Sequence, residues 1–467
     1  MSKSLTRLTV PCDISYWSNS AGTLLASQFP LITVLGAKDS PVSFRVCTLF
    51  LMLNVVHRML AQTLFVLGVH AARRICYINE TCLHTGWMAA LAFCVLFIVF
   101  LRPIRGKAYE FFFYTHMALA LITLGGAYYH TTTFGHYLWP CFLIWGLDRV
   151  IRAIRLVAFN HSYFGFGSGS GTLDATTELL TPHLVRITLK RPPHFHWAPG
   201  QFAYLITPGV SSLPFEGHPF TIASYDSTMN AKEITTGTEK SSESPKSYWK
   251  ELVFLVNVRE GFTKRLGHVA AQKGTIKVFL DGPYGQRNDL SGFDSVVLIA
   301  GGTGVTYTLP ILLDVVEGVR SGRRTCSRVV FVWTVRDSRH FKWVLDVINS
   351  AVKLAPSSLT VEIHLFVTGS SNTDWDTVST DSKLESPGGV STLSAGLKVS
   401  LGRPSLDNIL KAETEEARGG SMCVAVCGSE SIAGTVRRTL GFSVAGPTSI
   451  MRGSASITLL VESFGYA

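Results

Sequence analysis

Four histidines sit where histidines are costly. His57 and His70 lie inside the apolar stretch Leu49 to Ala72, and His116 and His130 inside Tyr109 to Thr131. At about 1.5 Å of rise per residue, spacings of 13 and 14 separate two imidazoles by roughly 20 Å along a helix, most of a hydrocarbon core. Two such helices side by side would hold two stacked metal centres, each with an imidazole from either helix, the way haem iron is held at both axial positions. The competing reading places each histidine at a helix end, facing headgroups. The matched two-by-two pattern favours the centres. Fourteen residues is close to four turns, so His116 and His130 share a face. Thirteen leaves His57 and His70 more than a quarter-turn out of line, which calls for a bulge or local unwinding near Gly68.

The elements that must carry these residues are five apolar runs, at about 19–37, 49–72, 86–101, 109–131 and 137–159. Beyond Asn160 the pattern becomes one of short strands, helices and glycine turns, so 467 residues divide into a membrane region and a globular region. The net charge of +10 does not point to nucleic acid, because the basic residues sit largely at the ends of the apolar runs. With the globular part cytosolic, the loop RPIRGK (102–107) falls inside with Arg102, Arg105 and Lys107. TTTFGH (131–136) falls outside with neither Lys nor Arg. The sequon Asn79-Glu80-Thr81 also falls outside, while Arg73 and Arg74 beside it run against the rule. Arg149, Arg152 and Arg155 recur every third residue and are expected to reach inner-leaflet headgroups or haem propionates. Nine cysteines include no CxxC pair, and the opening residues lack the apolar core of a signal peptide.

After the linker SYFGFGSGSG, residues 171 to 258 alternate as β-strands with Pro and Gly turns, which suits an antiparallel barrel. Residues 226–247 read as a polar flexible loop. From Asp294, SVVLIAGGTGVTYTLPILLDVVEG reads as a buried strand, a glycine turn and a helix. Gly301, Gly302, Thr303 and Gly304 would bring backbone amides and a helix N-terminus to a phosphate. The strands RVVFVWTV, TVEIHLFVTG and MCVAVCG alternate with helical patterns, as in a parallel sheet, and 369–396 reads as a disordered insertion.

The order of these motifs, four histidines in two helices, WGLDRVIRAIR, HPFTIAS, DGPYG, AGGTGVTYTLP and CGSESIAGTVRRTL, resembles the ferric reductase family of membrane flavocytochromes, related to NADPH oxidases. The fungal ferric-chelate reductases are the members it resembles most. The resemblance implies a multi-domain fold: an α-helical transmembrane bundle with bis-haem sites, an antiparallel β-barrel FAD-binding domain, and an α/β nucleotide-binding domain of ferredoxin-reductase type. The corresponding ranges are a tail at 1–18, then 19–159, 171–288 and 294–467. It implies FAD, NADPH and two b-type haems as cofactors. His57 would pair with His116 on the inner haem, and His70 with His130 on the outer. His218, Pro219, Phe220 and Thr221 would lie against the flavin, and Gly261, Phe262 and Thr263 against its diphosphate. Gly301 to Gly304 with Val305 would hold NADPH, Cys427 and Gly428 its nicotinamide side, and Arg336 and Arg403 its 2′-phosphate. Phe464, near the end, either seals the sheet edge or stacks on the flavin as a gate, with Tyr466 the next candidate.

No acid/base dyad or nucleophile is implied. The implied function is multi-pass electron transfer across the plasma membrane, from cytosolic NADPH to extracytoplasmic ferric or cupric chelates, with membrane lipid and a metal transport system as partners. An NADPH oxidase making superoxide, or a truncated non-catalytic haem-binding protein, are the alternatives. Fungal members usually carry further spans before the position of Ser20, so the reading is of a short or truncated member.

Overall fold

The structure is a computed structural model. It describes residues 14–37, 50–72, 80–101, 103–104, 109–130, 135–161, 173–191, 195–226, 250–272, 274–285, 287–369, 390–392, 397–441, 451 and 453–463. Contacts divide the chain into two compact units, Met1–Arg155 with Tyr466–Ala467, and Leu156–Gly465.

The first unit is helical: α1 (Ile14–Gly36), α2 (Phe50–Ala72), α3 (Glu80–Phe100), α4 (Tyr109–His130) and the larger part of α5 (Gly135–His161). These helices coincide with the five apolar runs. α1 packs on α2 and α3 on α4, the latter so closely that a Cβ on Gly126 would stand 3.0 Å from the Thr85 carbonyl. The unit buries little. Its small core holds Phe29, Leu124, Leu138 and Cys141, while Met59, Val66, Leu91, Ile98, Leu121 and Ile122 are exposed. The described helices thus keep many apolar side chains outside and few inside. Among the described residues, one helix, Phe111–His130, is long and apolar enough to cross a membrane. Shorter apolar stretches occupy Ser20–Gly36, Val55–Val69 and His84–Phe100. α2 is α-helical throughout, so the bulge expected near Gly68 is absent. Gly68 serves instead as a contact: a Cβ there would meet the Phe93 ring at 2.9 Å.

The second unit opens with β-structure. β1 (Asp174–Thr181), β2 (Leu184–Arg191), β5 (Lys250–Asn257) and β6 (Thr275–Lys277) form one antiparallel sheet in the order β5-β2-β1-β6. β3 (Phe202–Ile206), β4 (Gly217–Thr221) and β7 (Phe279–Tyr284) form another in the order β4-β3-β7. A single bridge between Ile222 and Phe254 joins them, and they enclose Val185, Ile187, Leu189, Leu205, Phe254 and Leu280. This is the expected barrel, split along one seam. Helix α6 (Phe262–Ala271) packs on it through Phe262, Leu266 and Ala270. Asn160, 2% exposed, donates to the Leu280 carbonyl at 2.9 Å and accepts from its N–H at 3.0 Å, as a neighbouring strand would.

The remainder is a seven-stranded sheet ordered β11-β12-β10-β9-β8-β13-β14. Its strands are β8 (Ser295–Gly301), β9 (Arg328–Val335), β10 (Thr360–Val367), β11 (Val390–Thr392), β12 (Leu397–Leu401), β13 (Ser421–Gly428) and β14 (Ser456–Ser463). All are parallel except β11. The sheet is covered on one face by α7 (Val305–Arg320) and α8 (Leu345–Leu354), and on the other by α9 (Leu406–Glu416) and α10 (Glu430–Thr439). Burial on both faces explains why SVVLIA and MCVAVC are continuous apolar runs. The insertion expected to be disordered over 369–396 needs correcting at its end. Val390–Thr392, with β-branched residues at both ends, pairs with β12 as an edge strand. Residues 370–389, like most of the expected loop 226–247, lie outside the described residues.

Candidate functional site

In the first unit the rings of His57 and His116 face one another from α2 and α4, with centroids 6.4 Å apart and planes at 55°. A metal held between two imidazoles at bond lengths of about 2 Å puts the ring centroids roughly 6–6.5 Å apart, so this pair has room for one iron between them. The His57 Nδ1–H donates to the Ile32 carbonyl at 2.9 Å, which fixes the tautomer and leaves Nε2 with its lone pair. Nδ1 of His116 is buried without a hydrogen-bond partner among the described residues. Gly36 lets the His57 ring approach α1, since a Cβ there would stand 3.1 Å from its Cε1. These features fit a bis-imidazole haem. His130 lies against Gly86 of α3, where a Cβ would come within 2.7 Å of its ring, and the His70 side chain lies outside the described residues.

In the second unit two sites are built by the barrel and by the parallel sheet. On β4, His218 and Phe220 share one face, and Pro219 and Thr221 share the other. The His218 ring stacks on Phe262 at 4.0 Å and 14°, and Phe220 lies 6.2 Å from the same ring. Phe262 is the first residue of α6, whose N-cap is Gly261 with φ 67°, no side-chain cap, and open space where a Cβ would be. Thr263 accepts from the Arg259 N–H at 2.8 Å and so shapes the turn. Arg265 donates through Nε to the Val210 carbonyl at 2.7 Å, while its Nη2 is buried without a partner among the described residues. Flat rings beside an uncapped helix start and an unsatisfied guanidinium nitrogen suit a planar heterocycle joined to a diphosphate, and so fit FAD.

The parallel sheet winds from β8 in both directions, with β9 on one side and β13 on the other, and the covering helices change face there. A crevice at the carboxyl ends of such strands is where open α/β sheets take ligands. Gly301 ends β8, Gly302 (φ 57°) to Gly304 form one 3₁₀ turn, and Val305, fully buried, begins α7. Gly428 ends β13 against Gly301: a Cβ on Gly428 would stand 3.2 Å from the Gly301 nitrogen, and one on Gly301 2.6 Å from Ile432 Cδ1. The structure therefore brings the two glycine motifs together. The buried Trp333 indole donates to the Gly302 carbonyl at 2.8 Å, and Asn257 of the barrel donates to Thr303 Oγ1 at 3.0 Å. Arg336 and Arg403 are exposed at the same carboxyl edge, following β9 and β12. One lies a single strand from β8. The other is three strands away, roughly 14 Å at about 4.8 Å per strand. Phe464 and Tyr466 lie outside the described residues.

Two residues of this crevice were not singled out by the sequence. Glu462 of β14 pairs in register with Cys427, and burial pushes its carboxyl up to about 6. Tyr307 of α7 is 4% exposed, accepts from Asn288 Nδ2 at 3.1 Å, and fills the space a Cβ on Gly200 (φ 82°) would need, 2.8 Å from its ring. Burial, and then the Glu462 carboxylate, raise the pKa of both Tyr307 and Cys427, so the phenol and the thiol stay protonated. Cys427 is an inert buried thiol here, not a nucleophile.

Residues 170–288 match the family described as an FAD-binding domain, and residues 293–440 the ferric reductase NAD binding domain. A probable cell surface ferric reductase, kap2, of Aspergillus oryzae is 31% identical over 292 residues, 61% of this chain and 36% of that protein. Ferric reductase transmembrane component 5 of Saccharomyces cerevisiae is 25% identical over 448 residues, 90% of this chain and 58% of that protein. The dual oxidase of Drosophila melanogaster is 28% identical over 291 residues, 61% of this chain and 17% of that protein. The chain thus spans less than two thirds of the length of each relative.

Proposed function

Since the chain belongs to the ferric reductase and NADPH oxidase family of membrane flavocytochromes, we propose that it moves electrons from cytosolic NADPH across a membrane to a ferric or cupric chelate on the far side. In this reading residues 19–159 form the multi-pass haem domain, 171–288 the flavin domain and 294–467 the nucleotide domain. His57 and His116 hold the inner b-type haem, and His70 and His130 the outer one. A bound flavin supplies the exchange between a two-electron donor and one-electron carriers. The chain's own residues bind and orient. His218, Phe220 and Phe262 hold the ring system, and Gly261, Thr263 and Arg265 receive the diphosphate. Gly301 to Gly304 and Gly428 seat the nucleotide. Arg336, one strand from that loop, is better placed for the 2′-phosphate than Arg403.

The observation that carries the reading is the facing of His57 and His116 at a haem-sized separation, in a chain that also holds a dinucleotide crevice. Supplying NADPH alone to the purified protein should produce a reduced-minus-oxidised haem spectrum that an added ferric chelate discharges. A spectrum that NADPH does not change would sink the proposal. The likeness to a dual oxidase favours a second reading, reduction of oxygen. Superoxide yield that exceeds Fe(III) reduction in the same membranes would select it.

A further inference from the structure

Beside the flavin cradle stands a charge that the proposed function has not used. Glu216 is 7% exposed, and both its carboxylate oxygens are buried with no hydrogen-bond partner among the described residues. Its backbone N–H donates to the Leu213 carbonyl at 3.1 Å, a turn that delivers the side chain to the start of β4. Oε1 stands 3.6 Å from Nε2 of His218, whose ring is clamped flat on Phe262. A carboxylate removed from water and given no donors is costly unless a cation stands beside it. Arg265 is tied to the same loop through Val210, but no ion pair joins it to Glu216 among the described residues. The imidazole is the group in contact.

We propose that Glu216 is a positioning residue of the flavin site, pairing with His218 so that the stacked ring keeps its positive charge through neutral pH and presents it toward the diphosphate end of the dinucleotide. This rests on the reading of the cradle as an FAD site. Aromatic stacking alone would hold a neutral ring equally well. The buried carboxylate is what singles out the charged form, and an imidazolium with no such partner would lose its proton close to pH 6.5. The other titratable or charged groups on the elements packed against β4 are Tyr204 of β3, Lys250 and Glu251 of β5, and Lys264, Arg265 and His268 of α6. Arg259 and Glu260 lie in the turn before α6. All of them remain in the variants that test the pair.

The test adds FAD to full-length protein stripped of flavin and follows quenching of flavin fluorescence from pH 6 to pH 8. Wild-type affinity should change less than about threefold. Glu216→Gln should bind comparably at pH 6 and lose roughly tenfold by pH 8, as the ring loses the carboxylate beside it. Adding His218→Gln to that variant should abolish the pH dependence. Parallel profiles for wild type and Glu216→Gln overturn the pairing while leaving the FAD site intact. A wild-type protein that takes up no flavin at any pH overturns the site itself. Should Glu216→Gln not fold, nitrogen NMR of histidine-labelled wild type decides: a His218 ring charged at pH 7.5 supports the pair, and a neutral one refutes it.

Discussion

Glu462 sits in register with Cys427 at the mouth of the nucleotide crevice, and its position fixes the sign of a pH effect. Its folded-state value near 6 lies above the ordinary 4.5, so the folded protein holds a proton that the unfolded chain releases earlier. The stabilisation this gives is complete below pH 4.5 and is lost as pH rises through 6, a span worth about 2 kcal/mol. Glu462→Gln should therefore flatten thermal stability between pH 4.5 and 6 and raise it at pH 7.5, as measured by unfolding in detergent. A variant with the wild-type pH profile would show that the carboxylate is solvated after all. Nothing in VESFGYA marks this glutamate as half-buried, because its shielding comes from strand register and not from its neighbours in sequence. Tyr307 and Trp333 escape sequence reading for the same reason: one needs Gly200 and the other Gly302, both distant in the chain. The glycines themselves are legible. Positive φ and backbone contact leave a spaced pattern, as in AGGTG.

At the scale of elements, periodicity decides what can be read. The five apolar runs became five helices, two of which, α1 and α3, begin earlier than their runs, and the alternation of strand and helix after Asp294 gave the parallel sheet. The unbroken α2 was not legible. A 13-residue spacing suggested distortion near Gly68, whereas that glycine accommodates the Phe93 ring and the helix stays regular. The edge strand at Val390–Thr392 was hidden in low-complexity sequence, since three residues are too few to show a period. The facing of α2 and α4 through His57 and His116 carries a prediction about both helices. His57→Ala and His116→Ala should each remove the same low-spin haem signal, and the double variant should lose no more than either single one. Different haems lost from the two variants would separate the pair. Flavin content should be unchanged in all three, which distinguishes loss of a ligand from misfolding.

For the molecule as a whole, the two units differ in what they bury. The helical unit turns Met59, Val66, Leu91 and Ile98 outward, while the second unit buries Val296, Leu298, Phe331 and Val424 completely. In the proposed reading, basic residues in 102–107 and none in 131–136 orient the helices with the second unit in the cytosol. Protease added to sealed, right-side-out vesicles should leave residues 171–467 intact, as read by immunoblot of that region. Digestion before the vesicles are opened would reverse the topology.

The strand order of the parallel sheet also shapes the birth of the protein. β8 leaves the ribosome about 120 residues before β13, its neighbour across the crevice. At about 5–20 residues per second, that is roughly 6–24 s in which β8 has a partner on one side only. Its other edge offers a row of unpaired N–H and carbonyl groups along a strand apolar beyond Ser295, an invitation to chaperones or to another nascent chain. A ribosome that stalls short of Ser421 therefore releases a polypeptide whose flavin barrel is whole but whose sheet is open. Such chains are expected in aggregates or degraded, and not as half-active enzyme.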